Sequence, residues 1–288
     1  MREIRKEALQ RAWFKFSRSK GAVAGLIITL IIILAAIFAP YIVPYPEHIG
    51  NYADLLSRLQ GPSLQHLCGT DAVGRDLFSR IVYSFRSALL MAVMVLAIAV
   101  PFGFLLGVVA GYFKGSLADS VIMRVTDIFL SIPPLILALA VASILTPSLT
   151  NSMLAITVLW WPWYTRLGYG IASSMRSENY IVYAELTGGN VLYILTKEIV
   201  PNCIGPVLTK VALDFCWVIM MGATLGYVGL GEQAPRPALG NMVSEGLTYL
   251  PESWWLTIFP ALAIVIIVFS LNLVGDGISD IFAEEGNG

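Results

Sequence analysis

Five stretches of this chain, 21–46, 87–113, 128–165, 215–231 and 253–275, contain no Asp, Glu, Lys or Arg. A helix crosses a bilayer with about 20 mostly apolar residues, because it satisfies every backbone N–H and C=O within the span. Charge-free runs of this length leave few positions that must face water. The composition agrees: 57% of the 288 residues are hydrophobic and 13% are charged, against about a quarter charged in soluble domains. The chain therefore reads as an all-α membrane protein. A net charge of −1 gives no ground for nucleic acid as a partner.

The third stretch is too long for one crossing. Thr146-Pro147-Ser148 is a turn signal, which divides it into helices near 128–146 and 149–172. The fourth is long enough only if its helix starts near Pro206. Lys210 and Asp214 then fall in its first turns, four apart on one face, where they can pair or act as two snorkelling ends. The total is about six transmembrane helices. The first, 21–46, exceeds a secretory apolar region and shows no Ala-x-Ala cleavage site at its end, so it reads as retained.

Orientation follows the Lys and Arg residues. With the N-terminus inside, thirteen of the 18 lie on the inner side, seven of them in the first twenty residues, and five on the outer side. The topology is N-in/C-in. The chain then divides into a cytoplasmic N-terminal segment (1–20), a first transmembrane helix (21–46) and an outer segment (47–86). A core of five transmembrane helices (87–275) and a cytoplasmic tail (276–288) follow. Pro101, Pro133, Pro134, Pro162 and Pro260 lie in the crossings, where proline frees a carbonyl and kinks the axis.

No catalytic, cofactor or metal site is expected. Cys68, Cys203 and Cys216 have no ligand spacing, and His48 and His66 read as loop residues. There is no GxxxxGK[ST] loop for ATP phosphates.

The informative connector is the inner loop 176–205. Tyr180 to Ala184 lead to a Gly188-Gly189 break, and Asn190 can cap a second short helix. Val191, Ile194, Leu195 and Ile199 share one face of it, and Pro201 is expected to stop it. Two short helices around a glycine corner form a docking surface or an interfacial element resting on lipid headgroups.

The run YIVYAELTGGNVLYILTKEIVPN resembles the cytoplasmic EAA loop of ABC-importer permeases, EAA-x3-G-x9-I-x-L-P. Gly188, Pro201 and Ala184 fit. Val182 and Tyr183 replace the first Glu and Ala, Glu198 stands where an apolar residue is usual, and Val200 replaces Leu. LCGTDAVGRDLFSRIVYSFRSAL resembles the L-G-T-D-x-x-G-R-D signature of the second, C-type permease subunit in the dipeptide/oligopeptide/nickel class. Asp71 reads there as a helix cap, with Asp76 and Arg80 four apart. MRVTDIFLSIPPLILAL, WPWYTRLGYG, GYVGLGEQAPRPALGNMVSEG and FSLNLVGDGISD resemble further segments of that subunit, in order. Two departures stand out: Gly222 occupies a position where relatives often carry an acid, and the basic D-P-R ending is absent.

The resemblance implies an ABC type I importer-like permease fold in the bacterial or archaeal cell (inner) membrane, multi-pass and surrounded by membrane lipid. It implies one permease subunit of an ATP-driven ABC importer, forming half of the pathway for a di- or oligopeptide, or for a nickel chelate. Its partners would be a second permease subunit, two ATP-binding cassette subunits that bind ATP and Mg, and an external solute-binding protein. Tyr183, Ala184, Gly188, Val191 and Pro201 would carry the ATPase coupling. Gly69, Asp71, Gly74, Arg75 and Asp76 form the outer signature. Glu232, Arg236 and Glu245 either pair with a docked partner or are solvated. An ion-coupled secondary transporter is the competing class, with Asp214 as its coupling acid.

Overall fold

In the computed structural model, which describes residues 2–283, nearly every element is a helix. The first two are α1 (Arg2–Arg18) and α2 (Lys20–Ile42), separated at Ser19, whose hydroxyl accepts from Ala22 N–H and caps α2. Next come α3 (Leu77–Tyr112), α4 (Leu117–Ser131), α5 (Pro134–Ile144) and α6 (Leu149–Met175). The connector after α6 holds α7 (Asn179–Leu186), α8 (Val191–Tyr193), a π turn (Ile194–Ile199) and α9 (Val200–Asn202). The chain ends with α10 (Ile204–Tyr227), the short α11 (Leu239–Leu247) and α12 (Trp255–Ala283). Residues 284–288 of the expected tail lie outside the described residues.

By length and composition, α2, α3, α10 and α12 can cross a membrane, and the α4–α5 pair makes a fifth span if counted as one. The 27-residue α6 is long enough but more polar. The single helix expected over 128–146 is instead broken at Ile132-Pro133, where α4 and α5 diverge by 91°. Two successive prolines explain it. Pro134 cannot donate to the helix of α4, and Pro133 pushes Ile132 into an extended conformation. Pro101, Pro162 and Pro260, by contrast, sit inside continuous helices.

Helix α3 begins at Leu77, ten residues before its charge-free stretch, and at 36 residues is about 54 Å long. It is the axis of the bundle. Gly103, Gly107 and Gly111 put a smooth stripe against α6. A Cβ at Gly107 would lie 2.0 Å from Thr165 O, and one at Gly103 would lie 2.1 Å from Trp161 O. Apolar solvent does not drive helices together within lipid, so close backbone approach through small residues supplies the contact. The Thr165 hydroxyl adds a bond to Gly103 O at 3.0 Å.

Lys210 and Asp214 do pair, at 3.2 Å. They lie in the second and third turns of α10 because the helix starts at Ile204.

Candidate functional site

The two ends of α3 carry two differently built structures. At its start, Asp76 is the N-cap: its Oδ2 accepts from Ser79 N–H at 2.8 Å. This corrects the expectation that Asp71 caps the helix. Asp71 instead shapes the preceding turn, its Oδ1 accepting from Val73 N–H at 3.0 Å and from Arg75 N–H at 2.9 Å. Its Oδ2 takes Arg75 Nε at 2.7 Å and lies 3.5 Å from Arg80 Nε, so Arg80 pairs with Asp71 rather than with Asp76. Gly74 has φ +84°, and a Cβ there would sit 2.0 Å from Asp54 O. Gly69 (φ +79°) leaves room for the Trp255 ring, whose Nε1 donates to Thr70 O at 3.4 Å. Gly69, Asp71, Gly74, Arg75 and Asp76 are thus parts of one folded cap.

The histidines read as plain loop residues belong to the same cap. His48 is buried and its Nδ1 accepts from Asp76 N–H at 2.8 Å. Tyr45 and Tyr52 flank its ring, with centroids 4.9 and 3.9 Å away. Burial lowers the proton affinity of His48 below the ordinary imidazole range, against the pull of Glu47 and Asp76. His66 Nδ1 lies 2.9 Å from Asp76 Oδ1. Arg80 reaches from α3 to His48 O at 3.3 Å and to Pro235 O at 3.2 Å, joining the cap to the loop before α11. The i,i+4 spacing of Asp71 and Arg75 was visible in the sequence, but nothing local tied His48 to a residue 28 positions on.

At the other end of α3, α7 and α8 meet at Gly188, with φ +86° and open space around its Cα. Asn190 caps α8, its Oδ1 accepting from Tyr193 N–H at 2.8 Å. Pro201 does not stop this helix. Val200 N–H bonds Leu195 O in a wide π turn that gives the proline ring room, and the chain stays helical to Asn202 before turning at Cys203. The expected apolar face divides. Ile194 and Ile199 are buried in the bundle with Ile181, whereas Val191 is exposed. The outward surface comes from Tyr183 (72% exposed), Leu186, Leu192 and Tyr193. An open hollow of about 830 Å³ lies at the corner, lined by Tyr180, Tyr183, Ala184, Gly188, Asn190 and Tyr193 among others. Of the five predicted coupling residues, Tyr183, Ala184 and Gly188 line it. Val191 and Pro201 do not.

Glu185 was missed. The Tyr112 hydroxyl at the end of α3 donates to Glu185 Oε1 at 2.6 Å, and Arg176 at the end of α6 pairs with the same oxygen while lying over the Tyr112 ring. The Tyr112 hydrogen bond holds the Glu185 carboxyl below the ordinary carboxylate range. Glu185 stands three residues, about one turn, beyond Val182, which occupies the motif's Glu position.

The departure at Gly222 has a steric counterpart: a Cβ there would lie 2.0 Å from Met91 Sδ, so the methionine fills the room an acid would need.

A helical membrane bundle with a closed cap at one end of its central helix and a glycine-cornered loop at the other has the architecture of an importer permease. Residues 103–285 match the model of the binding-protein-dependent transport system inner membrane component, and residues 8–62 match the N-terminal TM domain of oligopeptide transport permease C. The chain belongs to this family, as a C-type permease of the ABC peptide-importer class. It is 37% identical over 278 residues to the dipeptide transport system permease protein DppC of Haemophilus influenzae, covering 96% of this chain and 94% of the relative. It is 42% identical over 241 residues to the probable D,D-dipeptide transport system permease protein DdpC of Escherichia coli, covering 84% and 80%. The fold is also that of a chain of the MetNI methionine ABC transporter in an inward-facing conformation, with TM-score 0.56 and 17% identity over 69% of this chain and 94% of that one.

Proposed function

We propose that this chain is one permease half of a dipeptide importer of the bacterial inner membrane, driven by ATPase subunits that grip the loop 176–203. The dipeptide follows from relatives named for dipeptide transport, 36 to 42% identical over most of the chain. A second permease subunit would complete the pathway, and an external solute-binding protein would deliver the dipeptide to the side carrying the cap. ATP and Mg belong to the ATPases.

The observation that carries the coupling is the exposed aromatic corner around Gly188 together with its tie to two long helices. Tyr183 and Tyr193 offer a partner apolar area with a polar tip, while Glu185 binds α7 to the ends of α3 and α6 through Tyr112 and Arg176. A push on the corner is thereby delivered to the bundle, which acts as a two-state element biased by the ATPases. Asp214, the acid an ion-coupled transporter would use, is instead occupied by Lys210 and by Trp160 Nε1.

The test is Gly188→Val in the reconstituted complex. A β-branched residue at positive φ displaces the corner. The complex should assemble and hydrolyse ATP with dipeptide uptake per ATP reduced at least about tenfold. Normal coupled uptake would remove the lever role.

A further inference from the structure

Besides Arg86 on α3, Arg124 on α4 and Asp276 on α12, four charges inside the helices of the core gather into a strip on α4, α6 and α10. Asp127 on α4 pairs with Arg166 on α6. Lys210 on α10 pairs with Asp214, and its Nζ lies 5.8 Å from the ring centre of Trp163 and 5.4 Å from that of Tyr164. Trp163 and Arg166 are three apart on α6 and therefore neighbours on its surface. The strip thus runs Asp127, Arg166, Trp163, Lys210, Asp214 across three helices.

Its back is built and its front is open. Asp214 is buried and accepts from Trp160 Nε1 at 3.0 Å. The Tyr164 hydroxyl is buried beside Asp214. Forward, the side chains of Arg166, Asp127 and Lys210 are 58%, 51% and 29% exposed. Arg166 lies about 14 Å before the end of α6 and Lys210 about 9 Å after the start of α10. Both measure from the loop 176–203. Charged side chains at such depth face protein or water, since lipid penalises them heavily. Half-exposed ion pairs also contribute little to stability, so the fold does not explain them.

We propose that this strip receives the solute at the end of the pathway nearest the loop 176–203, with Arg166 and Lys210 binding its carboxylate and Asp127 its ammonium. The class of ligand follows from the charge pattern, and the inference rests on the dipeptide reading above. A zwitterion can exchange partners with a ready-made ion pair. Its carboxylate takes Asp127's place on Arg166 and shares Lys210 with Asp214, and its ammonium takes the Asp127 so released. No charge is stranded at any stage, and the Trp163 face supplies an apolar bed between the two cations. A neutral sugar would leave both pairs intact and gain nothing from them.

The experiment uses the complete transporter in proteoliposomes, with labelled Ala-Ala presented by saturating binding protein and uptake measured per ATP hydrolysed. Lys210→Met and Arg166→Met should each lower that ratio about tenfold or more, and Lys210→Arg should retain most of it. Co-purification of all subunits checks assembly. If Lys210→Met does not assemble, Lys210→Met/Asp214→Asn removes the pair without stranding Asp214, and it should show the same loss. Undiminished uptake by the Met variants, or by the double variant, overturns the strip while leaving the dipeptide reading standing. Absence of Ala-Ala uptake by the wild-type complex overturns both.

Discussion

The two ends of α3 solve opposite problems. At the Asp76 end nearly every polar group is spoken for within the chain. Asp71 holds two backbone amides and two arginines, and Asp76 holds Ser79 and His66. At the Tyr112 end one carboxylate, Glu185, does the tying, and the aromatic and aliphatic side chains around Gly188 point outward. A saturated, buried polar cluster resists rearrangement, whereas a surface with few internal bonds and much exposed apolar area is completed by something else. The cap behaves as part of this chain's own fold, whereas the loop keeps the exposed surface that the proposed docking requires.

That contrast is broken most directly by removing one charge from the cap. Asp71→Ala removes the carboxylate that Arg75 and the buried Arg80 share and frees the Val73 and Arg75 amides. Losing one partner of a buried pair costs about 3 to 5 kcal/mol, so the purified chain should unfold at a distinctly lower temperature. Tyr183→Ala, at the other end, should shift the midpoint little, since exposed substitutions stay within about 0.5 kcal/mol. Equal shifts in thermal unfolding would show that the two ends are not built differently.

A smaller effect tests the single tie of the loop. Glu185→Gln keeps the shape but removes the charge that Arg176 and the Tyr112 hydroxyl share. With Glu185 and Arg176 both partly exposed, the stability change should stay near or below about 1 kcal/mol. Uptake per ATP hydrolysed should fall several-fold, because α7 would no longer move with α3 and α6. Retained coupling in this variant would mean that apolar contacts through Ile181 and Ile194 transmit the movement instead.

What could be read from residues alone follows the range of the interaction. The Gly188 corner and the Asn190 cap depend on three or four consecutive residues, and both appear where local pattern places them. The spans α2, α3, α10 and α12 follow from apolar length. The division of the apolar face, with Ile194 inward and Val191 outward, depends on how the π turn rotates the helix against the bundle, which no 3.6-residue period contains. Gly103, Gly107 and Gly111 stand four apart in plain view, yet only their approach to α6 shows that they seat the central helix pair. The pairing of Arg80 with Asp71 required the turn at Gly74, whose φ of +84° brings nine positions of chain back on themselves.

The mildest test uses pH, and the histidines make it selective. The chain has two, His48 and His66, and the loop 176–203 has none. His48 accepts the Asp76 N–H through Nδ1, so it must be unprotonated there for the cap to close. Burial lowers its pKa from 6.5, opposed by Glu47, Asp76 and Asp71 and reinforced by His66. The unfolded segment therefore binds a proton that the folded one refuses, and stability falls as pH drops through and below 6.5. Cap stability is complete above that value. Amide exchange at Asp76, corrected for its intrinsic pH dependence, should quicken over this range, and exchange in 176–203 should not. His48→Asn should flatten the response at Asp76. If both ends of α3 loosen together on acidification, the cap is not an independent unit, and the distinction between a closed end and an interface end loses its physical basis.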